Sequence, residues 1–290
     1  MLQTRLEKNQ TYIIAEIGIN HCGNIDVALE LIKAAHEAGA DAVKFQKRVP
    51  RIAVPRDEWE RPKETPWGIM PYIEYKERIE LGRSVYNIID LTCKALGIDW
   101  SASVWDRPSA EFMVEYKPPW IKIPSAKLTD RDLARAVADL YPCVPIIIST
   151  GMSTEKEVEE AIDFYLSMID PERLVVMHCT STYPCPLKEL NLYAIRDFYK
   201  RNYPELVIGY SGHETGLVTT VCAVALGAQV VERHITLDRA MWGTDQAASV
   251  EPHGFRRLVK YIRDFEEARG DGRKRLYPSE EAVRKKLRGG

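Results

Sequence analysis

The fold class this sequence predicts is α/β, a (β/α)8 TIM barrel. Three observations carry the prediction. Short apolar runs recur along a chain of 290 residues. Several of them are continuous rather than alternating, as in strands buried on both faces. Longer amphipathic stretches separate them, which is the alternation a closed parallel barrel needs. A doubly wound open sheet is the competing architecture. It would place a GxGxxG turn after the first strand, whereas here Gly18 leads into Asn20, His21 and Gly23.

In chain order, the strand signals are Tyr12–Ile17, Asp41–Phe45, Trp100–Val104, Trp120–Ile123, Pro145–Ser149, Leu174–His178, Leu206–Tyr210 and Gln229–Val231. Helical periodicity covers Ile25–Ala38, Thr129–Leu140, Thr154–Met168, Gly216–Leu226 and His253–Ala268. Gly39, Gly97 and Gly227 follow helical patterns just before strands, where a C-terminal cap favours a residue tolerant of positive φ. Asp130 is a candidate N-cap, and Thr154 with Glu157 spells a capping box. Lys47–Met70 breaks the rhythm as a long Pro- and Arg-rich connection, the kind that forms lids and binding loops or else lies on the surface. Residues 1–269 read as one catalytic barrel and residues 270–290 as a basic tail or terminal helix, with no internal sequence repeat.

Composition narrows the class. With 45% hydrophobic and 28% charged residues, the chain has enough apolar surface to offset the entropy of ordering, which excludes a disordered protein. The formal charge of −2 gives no pull towards nucleic acid. No apolar run reaches membrane-spanning length, and the N-terminus lacks a signal-peptide core. Six scattered cysteines without CxxC spacing suit a reduced, cytoplasmic protein without disulfides.

Barrel enzymes place their chemistry at the C-terminal strand ends. Read that way, the ends supply Glu16, Asn20 and His21; Lys44 and Gln46; Ser103; Lys122 and Ser125; and Ser149 and Thr150. The later ends supply His178, Thr180, Ser181 and Tyr183; Ser211 and His213; and His234, with Asp245 in the loop beyond. Two lysines among hydroxyls suit a small dianion such as a phosphate ester. Buried ion pairs and a Schiff-base lysine use the same surroundings, so for Lys44 and Lys122 three readings stand. His213 and His234 end consecutive strands, which suits a borderline divalent ion with Glu16 or Asp245 as oxygen ligand or base. Hydrogen-bonded structural histidines are the alternative. The absence of HExxH or a cysteine cluster argues against a zinc protease or structural zinc.

The stretches AEIGINHCGNIDVALELIKAAHEAGADAVKFQ, KIPSAKLTD, ISTGMSTEKEVEEAI, HCTSTYPCP, GYSGHETG and ALGAQVVERHITLDRAMWGTDQAASVEP occur in order between residues 15 and 252. Through them the chain resembles the sialic acid (N-acetylneuraminate) synthase family. The resemblance implies a transferase of carbohydrate biosynthesis that condenses phosphoenolpyruvate with an open-chain aldose, giving a 2-keto-3-deoxy sugar acid and phosphate. It implies a divalent metal on His213 and His234, typically Mn2+, with Mg2+ or Co2+ as variants. Lys44, Lys122, Ser149 and Ser211, with Ser125 and Ser181, would hold phosphoenolpyruvate, and Glu16, Gln46, Ser103, Tyr183 and Asp245 would face the sugar and reacting carbons. Catalysis falls to Glu16, Asp245, Lys44 and Lys122. A homodimer is expected. The family's C-terminal antifreeze-like domain has no counterpart in these residues. The basic segment, with Arg48, Arg51, Arg56 and Arg61, opens the reading of a phosphorylated sugar. A non-catalytic binding or scaffold barrel and a metal-dependent aldolase or epimerase are the alternatives.

Overall fold

A computed structural model describes residues 1–289. Eight parallel strands close into a barrel: β1 (Tyr12–Gly18), β2 (Ala42–Lys47), β5 (Asp99–Val104), β6 (Ile121–Ile123), β7 (Ile146–Ser149), β8 (Leu174–Cys179), β9 (Val207–Gly212) and β10 (Val230–His234). β3 (Pro62–Thr65) and β4 (Gly68–Pro71) form a separate antiparallel hairpin. Around the ring the order is β1, β10, β9, β8, β7, β6, β5, β2. All eight expected strands are present. The last runs three residues further than its apolar run, because Glu232, Arg233 and His234 continue the pairing despite their charge.

The two-residue period of a strand sorts side chains into two compartments. Ile13, Ala15, Ile17, Val43, Phe45, Ile146 and Ile148 face outward and pack with the helices into one large apolar cluster. Tyr12, Ile14, Ala42, Trp120, Ile147, Val175, Met177 and Val230 form a second cluster. These alternate residues face inward as an apolar floor, joined by Leu2 of the N-terminal helix Leu2–Glu7. Asp41 closes this lower end by accepting from Arg5 Nε at 2.8 Å, the Ile13 amide at 2.9 Å and Arg263 Nη2 at 3.0 Å.

The helix caps follow local chemistry. Asp130 accepts from the Leu133 amide, and Thr154 and Glu157 make both bonds of the capping box. Gly39 and Gly97 end their helices at φ of 86° and 69°. The Lys47–Met70 connection is more ordered than its composition suggests. It contains a helical turn (Pro50–Ala53), a 3-10 turn (Arg56–Glu58) and the β3–β4 hairpin, and leads into the helix Tyr72–Ile79. At the other end, Pro278–Arg288 forms an exposed helix without buried residues. Among the described residues no helix is long and apolar enough to cross a membrane.

Within the floor, Trp120 Nε1 donates to the Tyr12 hydroxyl at 3.0 Å, and that hydroxyl donates to Asp99 at 2.7 Å. Trp120→Phe removes one buried donor and should cost about 1–3 kcal/mol in urea unfolding. Because the floor lies below the chemistry, substrate KM should stay unchanged; a KM shift without a stability loss would overturn the layered assignment.

Candidate active site

Above the floor the inward positions turn ionic. Glu16, Lys44, Lys122 and Glu232 are each at most 3% exposed. Lys44 Nζ lies 2.6 Å from Glu16 Oε2 and 3.8 Å from Glu232 Oε2, and it donates to Ser103 Oγ at 2.6 Å. Lys122 Nζ pairs with Glu232 Oε1 at 2.7 Å, and Ser211 Oγ donates to the same oxygen at 3.2 Å. Gln46 Nε2 donates to Glu16 Oε1 at 3.2 Å. Of the three readings for the lysines, the ion pair is thus formed.

The two carboxylates are driven apart in acidity. Burial lifts Glu16 to about 7, with Lys44 opposing and Glu232 adding to the rise. Burial acts on Glu232 in the same direction, but Lys122 and Lys44 outweigh it and hold the group down to about 2. Burial also lowers the Lys122 ammonium against the pull of Glu232. One carboxyl therefore exchanges a proton near neutrality while the other stays a fixed counter-charge.

The upper cavity, about 180 Å3, brings together nearly every residue expected there. Its walls include Glu16, Lys44, Gln46, Ser103, Lys122, Ser125, Ser149, Ser181, Tyr183, Ser211, His213 and His234. Of the residues to which the resemblance gives a role, Asp245 alone stands outside this wall, with Oδ2 3.9 Å from His234 Nδ1. The strand-end residue His178 belongs elsewhere, since its neighbour Cys179 takes the inward position and His178 Nε2 contacts the Leu190 carbonyl at 2.7 Å. Thr150 bonds outward to Tyr199, and Asn20 ties Ile235 to Ser249. Glu232 and Cys179 were missed. Period-two counting back from His234 would have found Glu232, had the eighth strand not been ended at Val231.

One wall is a hydroxyl cradle. Gly151 N–H donates to Ser125 Oγ at 3.1 Å, and a Cβ on Gly151 would collide with Ser181 Oγ. Ser149 Oγ is buried without a hydrogen-bond partner. The uncommitted Ser149 hydroxyl, in the same cavity as Lys122, Ser125 and Ser181, suits a small oxyanion. On the other side Gly18, at φ +55°, keeps Glu16, Gln46 and His234 close: a Cβ there would meet all three at 3.1–3.2 Å.

His213 and His234 converge with ring centroids 5.6 Å apart, and the Tyr183 ring lies 4.1 Å from His213 and 5.8 Å from His234. His213 Nδ1 contacts the Thr180 carbonyl at 2.8 Å; as the donor it leaves Nε2 with the lone pair. His234 Nδ1 is buried without a hydrogen-bond partner, and burial lowers the ring to about 3, so it is neutral. Among the described residues no group of three or more His, Cys, Asp or Glu side chains is placed to hold an ion. The two imidazoles are of the donor type that could hold a borderline divalent ion. Behind them, Arg233 and Glu214 form a buried pair at 3.0 Å; Arg233 also donates to the Gly216 carbonyl and to Thr220 Oγ1. Each member of that pair adjoins one of the histidines in sequence.

Comparison with known proteins places the chain in a family. A NeuB family model matches residues 31–274. The N-acetylneuraminate-9-phosphate synthase of Mus musculus is 38% identical over 97% of this chain and 77% of its own. The N,N'-diacetyllegionaminic acid synthase of Legionella pneumophila is 34% identical over 96% of this chain and 78% of its own. Among solved structures, an N-acetylneuraminic acid synthetase of Leptospira borgpetersenii, in complex with citrate, superposes with a TM-score of 0.83. It is 28% identical, covering 97% of this chain and 93% of that one.

Beside the site, the His21 ring nitrogen Nδ1 accepts from the Gly23 amide at 3.0 Å and so must be unprotonated. Burial, reinforced by Arg48, lowers this histidine to about 4. An unfolded histidine titrates near ~6.5, so protonation favours the unfolded chain. The stability linked to His21 is therefore complete above pH ~6.5 and lost as pH falls through about 4. Thermal melting from pH 7 to 4 should fall less steeply for His21→Asn than for the wild type. Parallel curves would refute the assignment.

Proposed function

This chain belongs to the NeuB family, and on that premise we propose that it condenses phosphoenolpyruvate with the open-chain aldehyde of a sugar. The products are a 2-keto-3-deoxy sugar acid and inorganic phosphate. The observation that carries the reading is one cavity holding an ionic layer, a hydroxyl cradle and two converging imidazoles.

Lys122 and the cradle of Ser125, Ser149 and Ser181 hold the phosphate of phosphoenolpyruvate, with Ser211 and Lys44 alongside. The same cations stabilise the charge that leaves with phosphate. His213 and His234 hold the divalent metal, which when bound supplies Lewis-acid polarisation of the aldehyde oxygen. C3 of phosphoenolpyruvate bonds to the aldehyde carbon, water adds at C2, and cleavage of the C2–O bond releases phosphate. Glu16 is the group for the proton transfers: it sits in the wall and exchanges its proton near pH 7. Asp245 steadies His234 from the rim. Gln46, Ser103 and Tyr183 face the sugar. Manganese as the ion, a homodimeric assembly and a cytoplasmic location extend this reading from the family resemblance.

The test is inorganic phosphate released from phosphoenolpyruvate with Mn2+, across N-acetylmannosamine, mannose, arabinose and their phosphate esters, with products identified by mass. Release that depends on one aldose is the expected result. Turnover of a sugar without phosphoenolpyruvate would instead make the protein an aldolase or epimerase. Glu16→Gln should lower kcat by about 100-fold or more, the range for a lost acid–base group. His213→Ala should abolish stimulation by added metal, and retained stimulation would refute its role as ligand.

A further inference from the structure

The inward positions of β2 and β5 continue upward past the residues that the reaction uses. Counting by twos along β2 gives Lys44, Gln46 and then Arg48; along β5 it gives Ser101, Ser103 and then Trp105. Gln46 lies opposite Ser103 in the parallel register, and Lys47 opposite Val104. The Trp105 amide donates to the Lys47 carbonyl at 3.2 Å, so the pairing runs on one residue further and sets Arg48 beside Trp105. The pair forms a tier above Gln46 and Ser103, and Trp105, like them, lines the cavity.

This tier is held on several sides. Arg48, only 6% exposed, stacks its guanidinium on the Trp105 ring at 4.6 Å. It also donates to Gln46 and lies 3.7 Å from Glu80. Next along the chain, the Asp106 carboxylate accepts from the Val49 amide at 2.7 Å and from the Ser109 amide at 2.8 Å, which ties the backbone beside the indole to both neighbouring segments. Arg51 and Arg61, by contrast, pair with Glu77 and Glu58 on the surface.

One donor of the tier is left over. Gln46 gives Nε2 to Glu16 and takes Arg48 on its oxygen, and Ser103 Oγ accepts from Lys44. Trp105 Nε1 is buried and has no acceptor among the described residues. An indole N–H can only donate, and leaving a buried donor unmatched costs stability. Buried donors are matched almost throughout native structures, so one left over in a residue of a cavity wall points to an acceptor that arrives with a ligand.

Charge and place indicate which ligand. Trp105 is neutral and offers one donor, which suits a single hydroxyl or carbonyl oxygen rather than a dianion. β5 and β2 stand side by side, whereas the cradle residues Ser149 and Ser181 belong to β7 and to the loop after β8. The indole therefore adjoins Gln46 and Ser103, the part of the wall given above to the sugar.

We propose that Trp105 is a specificity-determining residue: its indole N–H donates to one neutral oxygen of the acceptor sugar, and the Arg48 stack holds the ring for that bond. The inference rests on the synthase reading above. A donor fixed in a buried wall discriminates well, because an acceptor without the matching oxygen leaves it unpaired.

The test takes the aldose that supports phosphate release from phosphoenolpyruvate with Mn2+, and analogues of it that each lack one oxygen remote from the aldehyde. With the wild type, loss of one particular oxygen should lower kcat/KM for the acceptor about tenfold, the scale of a single hydrogen bond. Trp105→Phe keeps an aromatic face for Arg48 and removes the N–H. It should raise KM for the parent sugar by a similar factor with kcat kept, and should use that one analogue and the parent equally well. If this variant fails to fold, Arg48→Met, which unclamps the ring, should blunt the same discrimination. KM for phosphoenolpyruvate should stay near the wild type in both. Undiminished discrimination in the variants, or a rise in KM for phosphoenolpyruvate in place of the sugar's, would overturn the assignment and leave the synthase reading standing. No phosphate release by the wild type with any aldose would overturn both.

Discussion

Lys44 and Lys122 are held inside a closed barrel by Glu16 and Glu232, and the upper half of the molecule is organised around that exchange of charge. Four ionisable groups in so little space could not remain buried singly, because removing a lone charge from water costs more than packing returns. Together they are close to neutral, so the barrel keeps them without unfolding. The pairing is also uneven. Glu232 faces both lysines and stays ionised, whereas Glu16 rises to about 7. Lys44 therefore faces one carboxylate held ionised by both lysines and one whose acidity burial weakens.

This layer depends on what lies below and beside it. The apolar floor of Tyr12, Ile14, Trp120, Ile147 and Met177 keeps water from entering beneath the ion pairs, which would screen them and relax their acidities. On the outer face of β10, Arg233 is locked to Glu214 and Thr220, fixing the strand ends from which His213 and His234 project. Gly18 and Gly151 leave the space into which Glu16, His234 and the cradle hydroxyls reach. Rigid supports on all sides mean that few groups need to reorganise when charge develops.

The barrel mouth and the segment after β2 carry positive charge in different settings. The cradle offers hydroxyls and a lysine inside the barrel, where a small oxyanion loses most of its water. The rim offers cations set against aromatic rings on a hairpin and helix inserted after β2, outside the repeating strand–helix plan. An insertion of this kind can vary without disturbing the barrel.

The barrel was legible in the sequence because each strand is a short run of apolar residues bounded by caps and glycines, and period-two patterning is a local property. Strand-end chemistry was legible for the same reason: Ser149 ends its run, Lys44 lies one residue inside its own, and His213 and His234 each follow three residues after theirs. Glu232 was not, since a charged residue within a strand reads as the strand's end unless the pairing that continues through His234 is known. Nor could sequence place Asp245 at the rim, or set Arg48 against the Trp105 ring. Those outcomes depend on which side chains meet across the ring. The chain by itself determined the fold and the kinds of groups at the barrel mouth. Only tertiary structure decided which charges neutralise one another and which are left for a ligand, because Coulomb interactions act through space between residues far apart in the chain.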